Sequence, residues 1–144
     1  MNAKLTLLVK KLSPEARLPE RRDGDIGWDI FALSVESLGP TMVKVHTGIA
    51  LELPAGYYCQ IENRSSMGKN GWDVHGGIID NAYRGEIMVI LTQHRPGEIL
   101  PLEPGSKIAQ LIVRREEDSG WTLQETDTLS GTERGHGGFG STGR

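Results

Sequence analysis

Apolar and polar positions along this chain alternate in short runs separated by glycines and prolines. Met42-Val43-Lys44-Val45 and Ile49-Ala50-Leu51-Glu52-Leu53 alternate with a period of two, as strands with one buried face do. Leu5-Thr6-Leu7-Leu8-Val9 forms a further apolar run, and Tyr57 to Glu62 is rich in β-forming residues. Two longer runs, Glu86 to Thr92 and Lys107 to Val113, are the strongest strand candidates, with Trp121-Thr122-Leu123 a short late one. Pro54-Ala55-Gly56 and Pro104-Gly105-Ser106 read as turns leading into strands. Only a short helix, Ser65 to Lys69, fits anywhere, and no internal repeat is visible. Many short strands at close spacing predict an all-β sandwich or barrel.

The pattern fails near the C-terminus. From Thr126 onward apolar residues nearly vanish and Gly, Ser and Thr dominate. Such a segment cannot fold by burying itself. The expected division is a β domain over residues 1–125 and a flexible arm over 126–144. The arm has two readings. It is a disordered terminus, or it closes over a ligand. In the second reading its glycine backbone approaches phosphate oxygens, Arg134 supplies charge, Ser141 and Thr142 donate hydrogen bonds, and Phe139 offers a flat face to a base. A Walker loop does not fit, because Gly-Lys-Ser/Thr is missing and no helix follows.

Bulk properties narrow the class. The 144 residues suit one domain, and a chain near this size buries roughly 68–70% of its unfolded surface. A net charge of −3, with both signs interspersed, gives no basic face for nucleic acid. The single cysteine, Cys59, excludes an internal disulfide and reads as a small buried apolar residue. The N-terminus lacks a signal-peptide pattern, and no stretch approaches the ~20 apolar residues of a membrane span. A soluble, cytoplasmic protein without membrane or nucleic-acid partners is expected.

Four segments of the body hold candidate chemistry. In Gly77-Ile78-Ile79-Asp80-Asn81-Ala82-Tyr83-Arg84-Gly85-Glu86, two apolar residues place Asp80 at the mouth of a β-hairpin, where it either caps the turn or serves chemistry. Arg64-Ser65-Ser66 opens the short helix, as a phosphate site or as an ordinary N-terminus beside a solvated Arg. Asp29, between Trp28 and Ile30, needs a partner if buried, in a structural ion pair or at a site. Gln110 sits within an apolar strand, where its amide requires hydrogen bonds.

Together with the tail, in this order, these segments resemble the trimeric dUTP diphosphatases (dUTPases) from about Asp25 to Gly143. Gly27-x-Asp29-Ile30-x-Ala32 is similar to the family's first motif and Arg64-Ser65-Ser66 to its second. Gly77-Ile78-Ile79-Asp80-x-x-Tyr83-Arg84-Gly85 resembles the third, and Gly105-x-Lys107-Ile108-Ala109-Gln110-Leu111 the fourth. Arg134-Gly135-x-Gly137-Gly138-Phe139-Gly140-Ser141-Thr142-Gly143 is similar to the fifth almost letter for letter.

The resemblance implies a jelly-roll-like β-clip domain, a homotrimer with active sites shared between subunits, and a C-terminal arm closing over a neighbour's site. It implies hydrolysis of dUTP to dUMP and pyrophosphate, which keeps uracil out of DNA and supplies dUMP for thymidylate synthesis. Asp80 would be the general base acting on water. Gly77, Ile78, Ile79, Tyr83 and Met88 would hold deoxyuridine, with Tyr83 under the deoxyribose. Arg64, Ser65, Ser66 and Gln110 would meet the phosphates, with Asp29 in support through Arg64 or metal-bound water. Arg134, Phe139, Gly140, Ser141 and Thr142 would form the lid. Mg2+ would be held by substrate phosphates and water, with no direct protein ligand. Two other readings stand beside it: a dCTP deaminase-like or bifunctional enzyme on the same scaffold, and a nucleotide-gated regulatory binding protein. Ser66 stands where the family usually has glycine, and the stretch Met67 to Gly76, with Trp72 and His75, is shorter than in many members. His75 reads as a surface or hairpin residue rather than a base.

Overall fold

The computed structural model describes residues 5–95, 102–117, 120–141 and 143. Ten strands and one short helix follow in the order β1 (Leu8–Lys11), β2 (Trp28–Phe31), β3 (Ser34–Ser37), β4 (Met42–His46), β5 (Ile49–Glu52), β6 (Tyr57–Glu62), α1 (Ser65–Lys69), β7 (Trp72–His75), β8 (Ile78–Ile79), β9 (Met88–Gln93) and β10 (Lys107–Arg115). One sheet has the order β2-β10-β6-β8 and another β3-β4-β9-β7, while β1 pairs with β5. Every ladder is antiparallel. The all-β class expected from the short alternating runs is the observed one.

Alternation decides which residues fill the core. In β9, Val89, Leu91 and Gln93 point inward, and in β6, Cys59 and Ile61 do. In β10 the ladder to β2 shifts register between Lys107 and Ala109, and Ile108 and Ala109 are both buried. A bulge of this kind inserts a residue and re-aims its neighbours. Ile30, Val45, Ile49 and Leu111 complete the centre of one continuous cluster. Each such side chain contributes about 1.5–3 kcal/mol by leaving water. Burial pushes the Cys59 thiol up to about 11, so at neutral pH it is the protonated, inert core residue expected. Gln93 is buried but satisfied, donating to Asn70 O at 3.2 Å and accepting from Arg95 N–H at 2.8 Å.

Several elements differ from expectation. The first strand begins at Leu8 rather than Leu5, because its partner β5 supplies only Ile49 to Glu52 for the ladder. Trp121 to Leu123 forms no strand, and both Trp121 and Leu123 are exposed. A lone strand leaves its backbone groups unpaired, and none of the described strands pairs with this segment. The segments flanking Asp80 do not form a hairpin ladder. β8 pairs with β6, whereas β9 pairs with β4 and β7. The chain therefore crosses between sheets at Asp80 instead of folding back within one. β2, β3 and β7 lack a clear strand pattern in the sequence, since polar residues such as Asp29, Glu36 and Asp73 break their apolar runs, and pairing with β10, β4 and β9 makes them strands.

Candidate active site

The crossing between sheets shapes a first cleft. Ile61 N–H donates to Gly77 O at 2.7 Å, bringing β8 against β6. Gly77 has φ +99, and a Cβ there would lie 2.7 Å from Ile61 O. Glycine thus permits both the left-handed backbone and the close approach. Ile78 and Ile79 pair with Gln60 and Cys59, and Asp80 emerges exposed at the sheet's edge. Tyr83 N–H then donates to Asp80 O at 3.0 Å, closing the turn, and the Tyr83 hydroxyl donates to Glu86 O at 2.8 Å. A cleft of about 170 Å³ opens between Ile78, Ile79, Asp80, Tyr83, Glu86 and Met88.

Asn81 locks this turn from behind. Its amide donates to Pro54 O at 2.9 Å and Tyr57 O at 2.8 Å, tying Asp80's neighbour to the β5–β6 turn. Nothing in the motif pattern singles out Asn81, because its partners are backbone oxygens more than twenty positions away. Two such bonds are worth about 1–3 kcal/mol together. Asn81→Ala should therefore lower the melting temperature by several degrees and slow any chemistry that depends on Asp80's position. Calorimetry and steady-state rates check this; if neither changes, the amide does not hold the turn.

A second cleft, of about 250 Å³, is lined by Asp25, Ile26, Gly27, Asp29, Arg64, Ser65 and Gln110. Arg64 follows β6 after Asn63 and occupies the N-cap position of α1, with no capping hydrogen bond from its side chain. Its guanidinium Nε donates to Asp29 Oδ1 at 2.8 Å, and Nη1 reaches the Ser66 hydroxyl at 3.3 Å and Lys107 O at 3.4 Å. Lys107 Nζ lies 3.3 Å from Asp29 Oδ2. One carboxylate on the cleft wall thus orients two cations, Arg64 and Lys107. Gln110 donates to Asn63 O at 2.9 Å, so in this chain its amide nitrogen holds the turn before Arg64. A Cβ at Gly27 would displace the Gln110 side chain from its present position. Asn63 itself donates to Asp73 Oδ1 at 2.7 Å and accepts from Val74 N–H at 2.9 Å. The hydrogen bond from Asn63 holds the Asp73 carboxyl below its usual range. His75 is exposed on β7 against Thr92, remote in role from either cleft.

The two clefts share no lining residue. Each is smaller than the ~300–1,000 Å³ of ordinary ligand sites, and Ile78 and Asp80 also border an open cavity of about 720 Å³ with Tyr58, Asn81 and Arg115. The structure thus brings Ile78, Ile79, Asp80, Tyr83 and Met88 together, and separately Asp29, Arg64, Ser65 and Gln110. The tail joins neither. Among the described residues, hydrogen bonds of residues 126–143 are all local, such as Arg134 Nε to Gly137 O at 2.9 Å and Ser141 N–H to Gly138 O at 3.0 Å. Phe139 is fully exposed and holds φ +52, an unusual conformation for a bulky residue. Thr142 lies outside the described residues. Among them, no group of three His, Cys, Asp or Glu side chains is placed to hold a metal ion, and no helix is long and apolar enough to cross a membrane.

Comparison with known proteins agrees with the motif order. A family model described as dUTPase matches residues 15–143. Deoxyuridine 5'-triphosphate nucleotidohydrolase of Alkaliphilus metalliredigens is 41% identical, with 94% of this chain and 95% of the relative covered. The Hydrogenobaculum enzyme of the same name is 43% identical, with 96% and 99% covered. The solved dUTPase of Staphylococcus bacteriophage 80alpha with dUpNHpp superposes with TM-score 0.76 at 29% identity, over 96% of this chain and 99% of that one. With an all-β fold that matches a dUTPase along its length, and a family model spanning every motif, this chain belongs to the dUTPase family.

Proposed function

We propose that the protein hydrolyses dUTP to dUMP and pyrophosphate, with Asp80 as general base. The observation that carries this reading is the split of one chain into two complementary half-sites. One is a cleft with apolar walls from Ile78, Ile79 and Met88 and two carboxylates, Asp80 and Glu86, suited to a nucleoside and a reacting water. The other is a polar cleft that presents Arg64 and Ser65, groups suited to phosphates. Neither holds a whole nucleotide, so the reading joins half-sites from neighbouring subunits in a homotrimer, with residues 126–144 as an arm over the completed site.

In this arrangement the backbone of Gly77, Ile78, Ile79 and Met88 meets the uracil edge. Cytosine reverses a donor and an acceptor there and is rejected. Tyr83, pinned to Glu86 O, packs under the deoxyribose and leaves little room for a 2′-hydroxyl. Arg64, Ser65 and Ser66 bind phosphate oxygens, and Asp29 orients Arg64. Gln110 borders the α-phosphate. Arg134, Gly140, Ser141 and Thr142 add donors from the arm, and Phe139 covers the base. Asp80 takes a proton from water as that oxygen bonds to the α-phosphorus. The bond to the bridging oxygen breaks, and pyrophosphate departs with the electron pair. Phosphates repel an anionic nucleophile, so fixed cations and dipoles must offset their charge.

The donor set fits Mg2+ carried by the substrate. Magnesium keeps several waters and is commonly bound through phosphates with few protein carboxylates. Arg64, Ser65 and Ser66 would hold the phosphates that carry it, and the ion would neutralise developing charge there. A related phage phi11 dUTPase of S. aureus, with TM-score 0.69 at 26% identity, is described with a structural Mg(II) ion.

Product analysis with dUTP, dTTP, dCTP and UTP in the presence of magnesium tests the assignment. Release of dUMP and pyrophosphate from dUTP alone is expected. Ammonia from dCTP at a matching rate would assign a deaminase, and dUTP binding without turnover a regulator.

A further inference from the structure

Glu86 stands on the wall of the first cleft, yet no step above uses its side chain. The carboxylate is held by two groups. Oε1 accepts Gly48 N–H at 3.0 Å, and Oε2 lies 3.1 Å from His46 Nδ1. The other ring nitrogen, Nε2, lies 3.0 Å from Glu36 Oε2, which also meets Lys44 Nζ at 3.2 Å. An ionised carboxylate only accepts hydrogen bonds, and a neutral imidazole donates from one nitrogen alone. Neutral His46 would set a ring lone pair against one of the two carboxylates. The imidazolium satisfies both.

Two carboxylates face the ring and favour that charge, while one cation shares the first of them. Glu36 comes from β3 and Glu86 from the segment before β9. Lys44, on the histidine's own strand, is engaged with Glu36. Met88, across the β4–β9 ladder, is uncharged. The hydrogen bond to Glu36 chiefly, then that to Glu86, hold the His46 pKa above its ordinary value, with partial burial opposing.

This cluster is connected to the cleft through the backbone. Glu86 O accepts the Tyr83 hydroxyl at 2.8 Å. Ile87 N–H donates to Ile49 O at 2.8 Å, and Thr47 N–H donates to Ile87 O at 3.3 Å. The segment Glu86–Met88 is therefore stitched to His46–Ile49 at several points. We propose that charged His46 is a positioning residue for nucleotide binding: it holds Glu86, and with it the seat of Tyr83, and cancels a negative charge that would otherwise face a polyanionic substrate. This rests on the nucleoside reading of the first cleft.

The sign follows from the raised pKa. The contact is complete below the ordinary imidazole range, near pH ~6.5, and is lost as pH rises through the folded value. The test is KM and kcat for dUTP across about pH 6 to 9, with His46 followed by NMR titration in the nucleotide-free protein. In the wild type, KM should rise on the order of fivefold through the imidazole titration, the size of one partly exposed charge pair, while kcat changes less. His46→Gln should show the higher KM at every pH. Glu36→Gln keeps the Glu86 contact and should lower the NMR titration point, moving the KM rise to lower pH by the same interval. Uracil titrates at the alkaline end alike in all variants, so the differences between proteins decide. A wild-type KM profile unchanged in His46→Gln, or unmoved in Glu36→Gln, overturns the proposal. Failure of the function reading looks different: the wild type would then turn over no dUTP at any pH.

Discussion

Asp80→Asn is expected to keep nucleotide binding and lose most turnover, by about 10²–10⁴-fold, the usual contribution of a positioned general base. Asn is close to isosteric with Asp, so the cleft keeps its shape. The turn is closed by Asp80's backbone oxygen and by Asn81's amide, not by the Asp80 carboxylate. Structure and catalysis are thus separable at this position. Calorimetric dUTP binding alongside single-turnover rates provides the measurement. Near-normal turnover would remove Asp80 as the base, and a large drop in melting temperature would return it to the role of turn cap.

Truncation after Arg134 is the second large effect. Loss of Phe139 and the donors that follow should cut hydrolysis by about 10²-fold or more, as removal of transition-state hydrogen bonds does. The β body should remain folded, because no described residue from 126 onward hydrogen bonds to it and Phe139 is wholly exposed. Circular dichroism, light scattering and steady-state kinetics on the truncated chain separate the outcomes. An unfolded product would make the tail structural. A monomeric full-length protein would sink the shared-site arrangement altogether.

The two effects differ in how far the sequence foretold their residues. Asp80 stood out because two isoleucines and a turn set it at a strand end. The arm stood out because a segment with too few apolar residues to fold still held Arg134, Phe139 and closely spaced glycines. Arg64 and Asp29 were each visible as charges in need of partners. That they partner one another, at 2.8 Å, appears only once β2 and β6 flank β10. Asn81, Glu86 and His46 carry no local signal for the same reason. Their partners lie 10 to 40 positions away, on other strands or turns, and no local period registers contacts of that kind.

By itself the sequence determined the all-β class, most strand positions, the helix at Ser65–Lys69 and the order of the five motifs. Alternation with a period of two and breaker residues are local properties, and they need no tertiary contact to be read. Only the tertiary structure decided that β8 leaves its apparent hairpin partner for β6, and that Asp80 and Tyr83 line one cleft while Asp29, Arg64 and Gln110 line another. It alone set a histidine between two carboxylates behind Tyr83. Strand pairing is chosen by which faces can be buried together, and that choice is made across the whole chain.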